Sequence, residues 1–251
     1  MAIEVHIRFY EELNDFIPKR HRKKTIIHSL ITKTSIKDMI ESFGVPHTEV
    51  DLILINGQSV DFGHIPGTGD RISVYPVFES LDISNITRLR PKPLREARFI
   101  VDVHLGKLAR YLRMYGFDTL YRNDFSDPGI IQIALEEKRI ILTRDLGILK
   151  NKSVTHGYFV RSQKPKTQIK EVIRRFHLAN NIKPLSRCIE CNGNIAPVKK
   201  EEINHLLLPK TQEYFDTFFQ CKECLKIYWE GSHYKKIMEK FINFTIQDLS
   251  S

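Results

Sequence analysis

The four cysteines of the chain occur as two Cys-x-x-Cys pairs, Cys188 with Cys191 and Cys221 with Cys224. Each pair can present two thiolates across a tight turn, and two such turns complete tetrahedral coordination of Zn²⁺ by sulfur. Four reduced thiols or a redox pair are the alternatives, but a redox pair would not need a duplicate. We therefore expect one structural zinc whose four positions are all filled by protein, with no open position for catalysis.

The interval between the two cysteine pairs holds 29 residues, from Asn192 to Gln220. This exceeds the usual zinc-ribbon spacing of about 15 to 20 residues. The length predicts an excursion of the chain between the two turns, with Tyr228 and Trp229 packing beside the metal. The predicted zinc ribbon covers residues 186–240.

Aspartates follow two apolar runs that we predict as strands of a parallel sheet. Asp102 comes directly after the first run and Asp145 after the second, while Asp127 opens an intervening helix and Asp124 stands three residues before it. A site in such a sheet forms outside the carboxyl ends of its strands. Converging carboxylates repel one another unless a cation lies between them, and oxygen donors suit Mg²⁺ or Mn²⁺. A site of this kind could support phosphodiester hydrolysis.

Each aspartate also has a purely structural explanation. Asp127 precedes Pro128 and would make a good N-cap, and Asp102 and Asp145 could cap the helices after their strands. Asp124 lies in a predicted loop, where aspartates usually mark turns. Taken singly, none of these residues specifies a metal.

Basic side chains accompany the aspartates. Lys107, Arg110 and Arg113 lie beside the apolar stripe of the first helix in this part of the chain, and Arg144 directly precedes Asp145. These four residues could hold the phosphates that flank the scissile bond of a substrate. The alternative for the helix residues is a solvated surface without a ligand.

The elements that must position these residues alternate between strand and helix. Short apolar runs alternate with amphipathic helical patterns from residue 97 to residue 185, which predicts a doubly covered parallel sheet. The predicted strands are 99–101, 117–121, 140–143 and 157–160. This α/β domain is expected to carry the aspartates.

The first 80 residues follow a different pattern. Alternating residues 3–9 and the β-rich run 24–28 predict a hairpin, and Ser35 begins a helix. Further strands at 52–55 and 71–75 complete an α+β unit in which a sheet covers one helix. A basic segment with several prolines, residues 81–96, is predicted to link this unit to the α/β domain.

Composition excludes several classes of protein. The chain has 251 residues, 41% of them hydrophobic, and a net charge of +9, as expected for a globular protein of about two domains. No apolar stretch approaches the ~18 residues of a spanning helix, and the start does not resemble a signal peptide, so we expect a cytoplasmic protein without membrane contact.

Residues 1–80 have a net charge of −2 and the remainder +11, which indicates that the second part, and not the first, meets a polyanion.

Five motifs in this order resemble the Mut-seven C-terminal RNase family, which is similar to PIN-domain nucleases and ends in a zinc ribbon. They are FIVD at 99–102, LGKLARYLRMYGFD at 105–118, IILTRD at 140–145, RCIECNG at 187–193 and YWEGSH at 228–233. The stretches EVDLILING at 49–57 and GDRISVYP at 69–76 resemble the ubiquitin-like β-grasp domain often fused ahead of it. No Gly-Gly tail follows the latter, which excludes the thiocarboxylate chemistry of sulfur carriers.

The resemblance implies a ribonuclease whose catalytic metal is held by Asp102, Asp127 and Asp145. PIN nucleases commonly have a further acidic residue, for which Asp124 is the candidate. RNA is the expected partner, and the β-grasp domain could bind a protein. The rival hypothesis is a non-catalytic RNA-binding or adaptor protein that uses the zinc ribbon and the β-grasp domain as interaction modules. A small-molecule phosphatase is disfavoured, because Asp102-Val103-His104 lacks the second aspartate of the haloacid-dehalogenase pattern.

Overall fold

The structure is a computed structural model that describes residues 3–76, 89 and 97–231. No helix in these ranges is long and apolar enough to cross a membrane. The predicted linker, apart from Leu89, and the ribbon residues after Gly231 lie outside the described residues.

The chain forms two compact units. The first takes its described residues from Met1–His104 and Asn123–Arg161, and the second takes them from Leu105–Arg122 and Ser162–Ser251. The chain therefore leaves the first unit after His104, returns to it at Asn123, and leaves it again after Arg161.

The N-terminal part of the first unit is a five-stranded mixed sheet with one helix. Its strands, in the order β2-β1-β5-β3-β4, are β1 (Ile3–Phe9), β2 (Ile26–Leu30), β3 (Val50–Ile55), β4 (Gln58–Ser59) and β5 (Arg71–Pro76), and its helix is α1 (Ile36–Ser42). The pairing of β1 with β2 is antiparallel and that of β1 with β5 is parallel. This is the predicted β-grasp arrangement, with the α1 residues Ile36, Met39 and Ile40 buried in the core.

Local sequence explains the boundaries of these elements. The Ser35 hydroxyl accepts a hydrogen bond from the Asp38 N–H at 3.1 Å, which caps α1 as predicted. Asn56 and Gly57 both have positive φ, 52° and 84°, the conformation that a tight two-residue turn between β3 and β4 requires.

The middle of the chain alternates strand and helix as predicted. Its elements are β6 (Phe99–Val101), α2 (Gly106–Met114), β7 (Thr119–Leu120), α3 (Asp127–Glu136), β8 (Ile140–Thr143), α4 (Leu146–Leu149), β9 (Gly157–Phe159) and α5 (Pro165–Arg175). In the first unit β6 pairs with β8 and β8 with β9, all parallel. All residues of β6 and β8 are buried, as is usual for a parallel sheet, and α3 packs against both strands.

The second unit combines α2, β7 and α5 with a small antiparallel sheet. α2 packs against α5. The sheet consists of β10 (Ile195–Val198), β11 (Phe218–Cys221) and β12 (Ile227–Trp229). The predicted excursion between the cysteine pairs contains two short helices, α6 (Lys200–Ile203) and α7 (Pro209–Tyr214). Trp229 packs against a small core of Ile203, Leu207 and Phe218, the first of which lies in α6.

Candidate active site and metal centre

Asp102 is held at the carboxyl end of β6. Its backbone N–H continues the ladder to Leu142 with a hydrogen bond of 3.0 Å, and only 3% of the residue is exposed. Its Oδ2 accepts a hydrogen bond of 2.7 Å from the buried hydroxyl of Thr143. Its Oδ1 lies 3.3 Å from the His104 N–H and 3.2 Å from His104 Nδ1. The carboxylate is therefore fixed from both sides.

Thr143 connects two of the predicted aspartates. While its hydroxyl donates to Asp102, the same oxygen accepts the backbone N–H of Asp145 at 2.8 Å. Asp145 in turn caps α4, because its Oδ1 accepts the Gly147 N–H at 2.6 Å. Asp145 is exposed, so its carboxylate meets solvent beside the sheet edge.

Asp127 and Asp124 are both exposed near the start of α3. The capping role that the sequence offered for Asp127 belongs instead to Ser126, whose hydroxyl accepts the Gly129 N–H at 3.3 Å. Asp127 is the first residue of the helix, where a negative charge also interacts favourably with the helix dipole. Its carboxylate is thus not required as the helix cap.

The acidic residues do not form a closed ligand cage. Within residues 3–76 and 97–231, the four cysteines are the only group of three or more potential metal ligands that meets around a common point. The oxygen donors of Asp102 and Asp145 suit a hard divalent cation. The convergence of Asp127 and Asp124 with them stays a prediction.

The four cysteines come together as their spacing predicts, in a cluster that could hold a metal ion. The sulfurs of Cys188, Cys191, Cys221 and Cys224 all lie within 4.8 Å of one another. Two of the separations are 3.5 Å, from Cys188 to Cys224, and 3.4 Å, from Cys191 to Cys221. A tetrahedron with Zn–S bonds of ~2.3 Å has edges of roughly 3.8 Å, so the arrangement fits zinc.

The surroundings of Cys188 favour its thiolate form. Burial opposes ionisation, but the backbone N–H groups of the cysteine turn and the hydroxyl of Tyr228, 3.0 Å from the sulfur, outweigh it and lower the pKa of Cys188 to about 7. Burial raises the pKa of Cys221 and Cys191 above the ordinary thiol value. Because zinc binds thiolates, the ion would have to displace protons from these two residues.

Arg113 departs from the expectation of a solvated, RNA-facing side chain. It is only 4% exposed, and its guanidinium donates to four carbonyl oxygens. These belong to Thr119 at 2.8 Å, Tyr121 at 3.4 Å, Ile189 at 3.1 Å and Glu190 at 2.6 Å. Burial lowers the pKa of Arg113, while the nearby thiols and Glu190 act in the opposite direction. The side chain binds the first cysteine turn to α2 and β7.

Asn192 reinforces the same junction, a role that was not predicted from the sequence. Its Oδ1 accepts the Thr119 N–H at 2.8 Å and its Nδ2 donates to Asp118 Oδ1 at 2.8 Å. Asn192 has a positive φ of 68°, a conformation in which Asn is one of the preferred non-glycine residues. An Asn directly after a Cys-x-x-Cys turn is the signal that could have pointed to it.

The other predicted RNA-binding residues differ in their surroundings. Lys107 and Arg110 are exposed on α2, and Arg110 lies 3.5 Å from Glu190. Arg144 donates to the carbonyls of Val160 and Arg161 at 2.7 and 2.6 Å, so part of its donor capacity holds the end of β9.

The contact of His104 with Asp102 was not predicted, although the two residues stand only two positions apart.

Comparison with protein families agrees with this architecture. A family model described as Mut7-C RNAse domain matches residues 97–241, more than half of the chain. The chain belongs to the Mut7-C RNAse domain family. A second model, described as Mut7-C ubiquitin, matches residues 2–82, which confirms the resemblance of the β-grasp part. Searches of curated proteins and of solved structures found no significant match.

Membership of the Mut7-C RNAse family indicates nuclease activity. It confirms the predicted fold of a ubiquitin-like domain followed by an α/β domain, and the cysteine cluster accords with a zinc ribbon. The family match by itself identifies neither the catalytic residues nor a catalytic metal.

Proposed function

We propose that this Mut7-C protein is a metal-dependent ribonuclease that hydrolyses RNA phosphodiester bonds at the carboxyl edge of the parallel sheet. The observation that carries the proposal is Asp102, a nearly buried carboxylate fixed by Thr143 at the carboxyl end of β6. Burying a carboxylate is costly unless partners compensate its charge, and the position is the one where open sheets form their sites.

Asp102, Asp127 and Asp145 would hold Mg²⁺ or Mn²⁺, and Asp124 is the candidate for a further acidic residue. When bound, such a cation would make a water more acidic and neutralise charge on the phosphate. The Thr143 hydroxyl keeps the carboxylate of Asp102 in one orientation, and the N-cap bond of Asp145 does the same at the next strand.

Exposed cations would bind the RNA backbone. Lys107 and Arg110 have their charges in solvent on α2 and can contact phosphates without reading bases. We do not assign this role to Arg113, because its guanidinium is occupied by four carbonyls. The zinc centre is proposed to be structural, since four sulfurs leave no position for a substrate.

The test compares Asp102→Asn with Asp216→Asn in the full chain. Both substitutions remove one carboxylate charge, but Asp216 is 89% exposed and pairs with Lys200 at the surface. Asp102→Asn should lower Mn²⁺-dependent cleavage of a labelled RNA by about a hundredfold or more, since disturbing even the outer shell of a metal site costs about 10- to 100-fold. RNA affinity measured without divalent cation should be unchanged.

Two results would overturn the proposal. Cleavage at the original rate by folded Asp102→Asn would remove the catalytic assignment. Tight RNA binding with no cleavage by the unmodified chain, across Mg²⁺ and Mn²⁺, would favour the non-catalytic adaptor instead.

A further inference from the structure

The net charge of the first 80 residues hides a local concentration of cations. These residues contain nine Lys and Arg, and five of them fall within the six consecutive positions Lys19-Arg20-His21-Arg22-Lys23-Lys24. We call residues 19–24 the basic segment. Averaging over the domain, which gives −2, therefore misrepresents this part of its surface.

The basic segment leaves four of its charges in solvent. Lys19, Arg20, Lys23 and Lys24 are all exposed, at and after a short 3₁₀ helix of Lys19–His21. In the part of the chain that the structure describes, none of these four side chains makes an ion pair. Four like charges so close together repel one another, and this repulsion is relieved when an anion binds.

Two side chains hold the segment in a fixed shape. The buried Asn14 accepts the Lys23 N–H at 2.7 Å and donates to the carbonyls of Phe9 and Glu11, both at 3.0 Å. Arg22 folds back, and its guanidinium donates to the carbonyl of Ile17 at 3.1 Å. The fifth cation thus supports the loop, and the other four project from it.

The segment is anchored beside the end of β9, within the same compact unit. The carboxylate of Asp15 lies 3.5 Å from Arg161 Nε, and the ring of Phe16 meets that of Phe159 with centroids 5.6 Å apart. Arg22 also donates to the Asp15 carbonyl at 3.3 Å, so the residues that touch β9 and those that carry the cations belong to one hydrogen-bonded loop.

The end of β9 belongs to the sheet edge that carries Asp102 and Asp145. Strands β6, β8 and β9 are parallel, so their carboxyl ends share one edge. Arg144, the residue before Asp145, donates directly to the Val160 and Arg161 carbonyls that follow β9. A continuous set of contacts therefore joins the anchored loop to the proposed catalytic edge.

We propose that the basic segment binds the phosphates of the RNA strand whose cleavage takes place at this edge, so that the β-grasp domain extends the substrate path of the nuclease. The inference rests on the proposed function, because that function supplies the polyanion. A long RNA chain that leaves the sheet edge past β9 meets the four exposed cations, and releasing its counterions favours that contact.

The experiment replaces Lys19, Arg20, Lys23 and Lys24 by Gln in the full chain. The matched control replaces the other four cations of the first 80 residues by Gln, namely Arg8, Lys33, Lys37 and Arg71. Both variants lose four charges from the same domain, and circular dichroism checks their fold. Affinity for a fluorescent 30-nucleotide RNA is measured by anisotropy over a salt series without divalent cation.

The slope of log affinity against log salt should fall by about 2 to 3 in the basic-segment variant, at roughly 0.7 for each phosphate of a single strand that the protein no longer neutralises. The control should lower the slope by less than about half as much as the basic-segment variant does. In cleavage assays with long RNA the basic-segment variant should show a raised KM and an unchanged kcat, because its contacts are equal in ground and transition states.

The inference would be overturned if the two variants show the same slope of log affinity against log salt while the unmodified chain binds RNA in a salt-dependent way. The nuclease proposal would then still stand. If the unmodified chain neither binds nor cuts RNA, the proposed ribonuclease function and the role of the basic segment both fail. Loss of binding to anionic phospholipid vesicles or to an acidic protein, with RNA binding unchanged, would show that the segment serves another partner and would also overturn the inference.

Discussion

The cysteine cluster and the carboxylate edge are built in opposite ways. The cysteine sulfurs already lie within 4.8 Å of one another, in two turns that each supply a neighbouring pair. The aspartates come from separate points of the chain, and Asp102 is fixed on both oxygens by its own neighbours. One centre is assembled by local turns, whereas the other depends on the ends of strands that are far apart in sequence.

This difference indicates what each ion would contribute. Thiols can gather before zinc arrives, because protonated sulfurs do not repel one another. Carboxylates at neutral pH do repel, so their final approach would depend on the cation that we propose they bind. We therefore expect removal of zinc to affect folding, and removal of Mg²⁺ or Mn²⁺ to affect catalysis and little else.

Removing zinc should have the largest effect. Structural zinc contributes about 10 kcal/mol or more to folding in small zinc domains. Because Arg113 and Asn192 bind the first cysteine turn to α2 and β7, loss of protection should spread from the ribbon to residues 106–120. Hydrogen exchange of the chelator-treated protein and of Cys221→Ser measures this spread. The strands of the β-grasp part provide the internal control. Unchanged exchange at residues 106–120 would contradict the prediction.

Thr143→Val tests the catalytic edge without removing a charge. The substitution keeps the shape but removes the donor to Asp102 and the acceptor for the Asp145 N–H. Cleavage should fall about 10- to 100-fold, as for other outer-shell changes at metal sites. Thr143→Ser retains the hydroxyl and should recover most of the activity. Equal activity of the Val and Ser variants would show that Thr143 does not orient Asp102.

Arg113→Lys should destabilise the protein although the charge is kept. A lysine cannot donate to four carbonyls at once, and unsatisfied buried groups cost about 1 to 3 kcal/mol each before relaxation. We expect a net loss of about 2 to 3 kcal/mol, measured by urea unfolding of the zinc-loaded protein. Arg110→Lys on the same helix is the control, and an exposed pair of this kind contributes less than about 1 kcal/mol. Equal stability of the two variants would contradict the docking role of Arg113.

The smallest effect is expected from single surface cations. Lys107→Gln should lower RNA affinity only a few-fold and reduce the salt slope by about 0.7, the value for one phosphate contact on a single strand. The loss should be the same for RNAs of different sequence, because phosphate contacts carry no base information. Anisotropy with two unrelated RNAs checks both points, and a loss confined to one sequence would argue for base recognition.

Sequence patterns were sufficient where the signal is local. The spacing of Cys188 and Cys191 predicted the cysteine cluster, and Ser35 predicted the start of α1. Residue type alone could not distinguish Arg113 from Arg110, because both stand on one basic helix and only the folded chain brings the Ile189 carbonyl to one of them.

The position of residues 19–24 could not be predicted for a related reason. A net charge summed over a whole domain conceals a local cluster, and the contact that places the segment, between Asp15 and Arg161, spans 146 residues of sequence. Separations of this size leave no periodic signal. The capping of α3 by Ser126 was not predicted because Asp127-Pro128 offered an equally good local pattern.

The buried Glu49 of the β-grasp part contacts the end of β9. Glu49 accepts the Phe159 N–H at 2.6 Å, the last backbone donor of β9, and pairs with the Arg161 side chain just beyond the strand at 3.0 Å. An uncovered edge strand has unpaired backbone groups, with which strands of other chains can pair and aggregate. A fragment that begins at Ala97 would lack Glu49, and the Phe159 N–H at this edge would be free to pair with another chain.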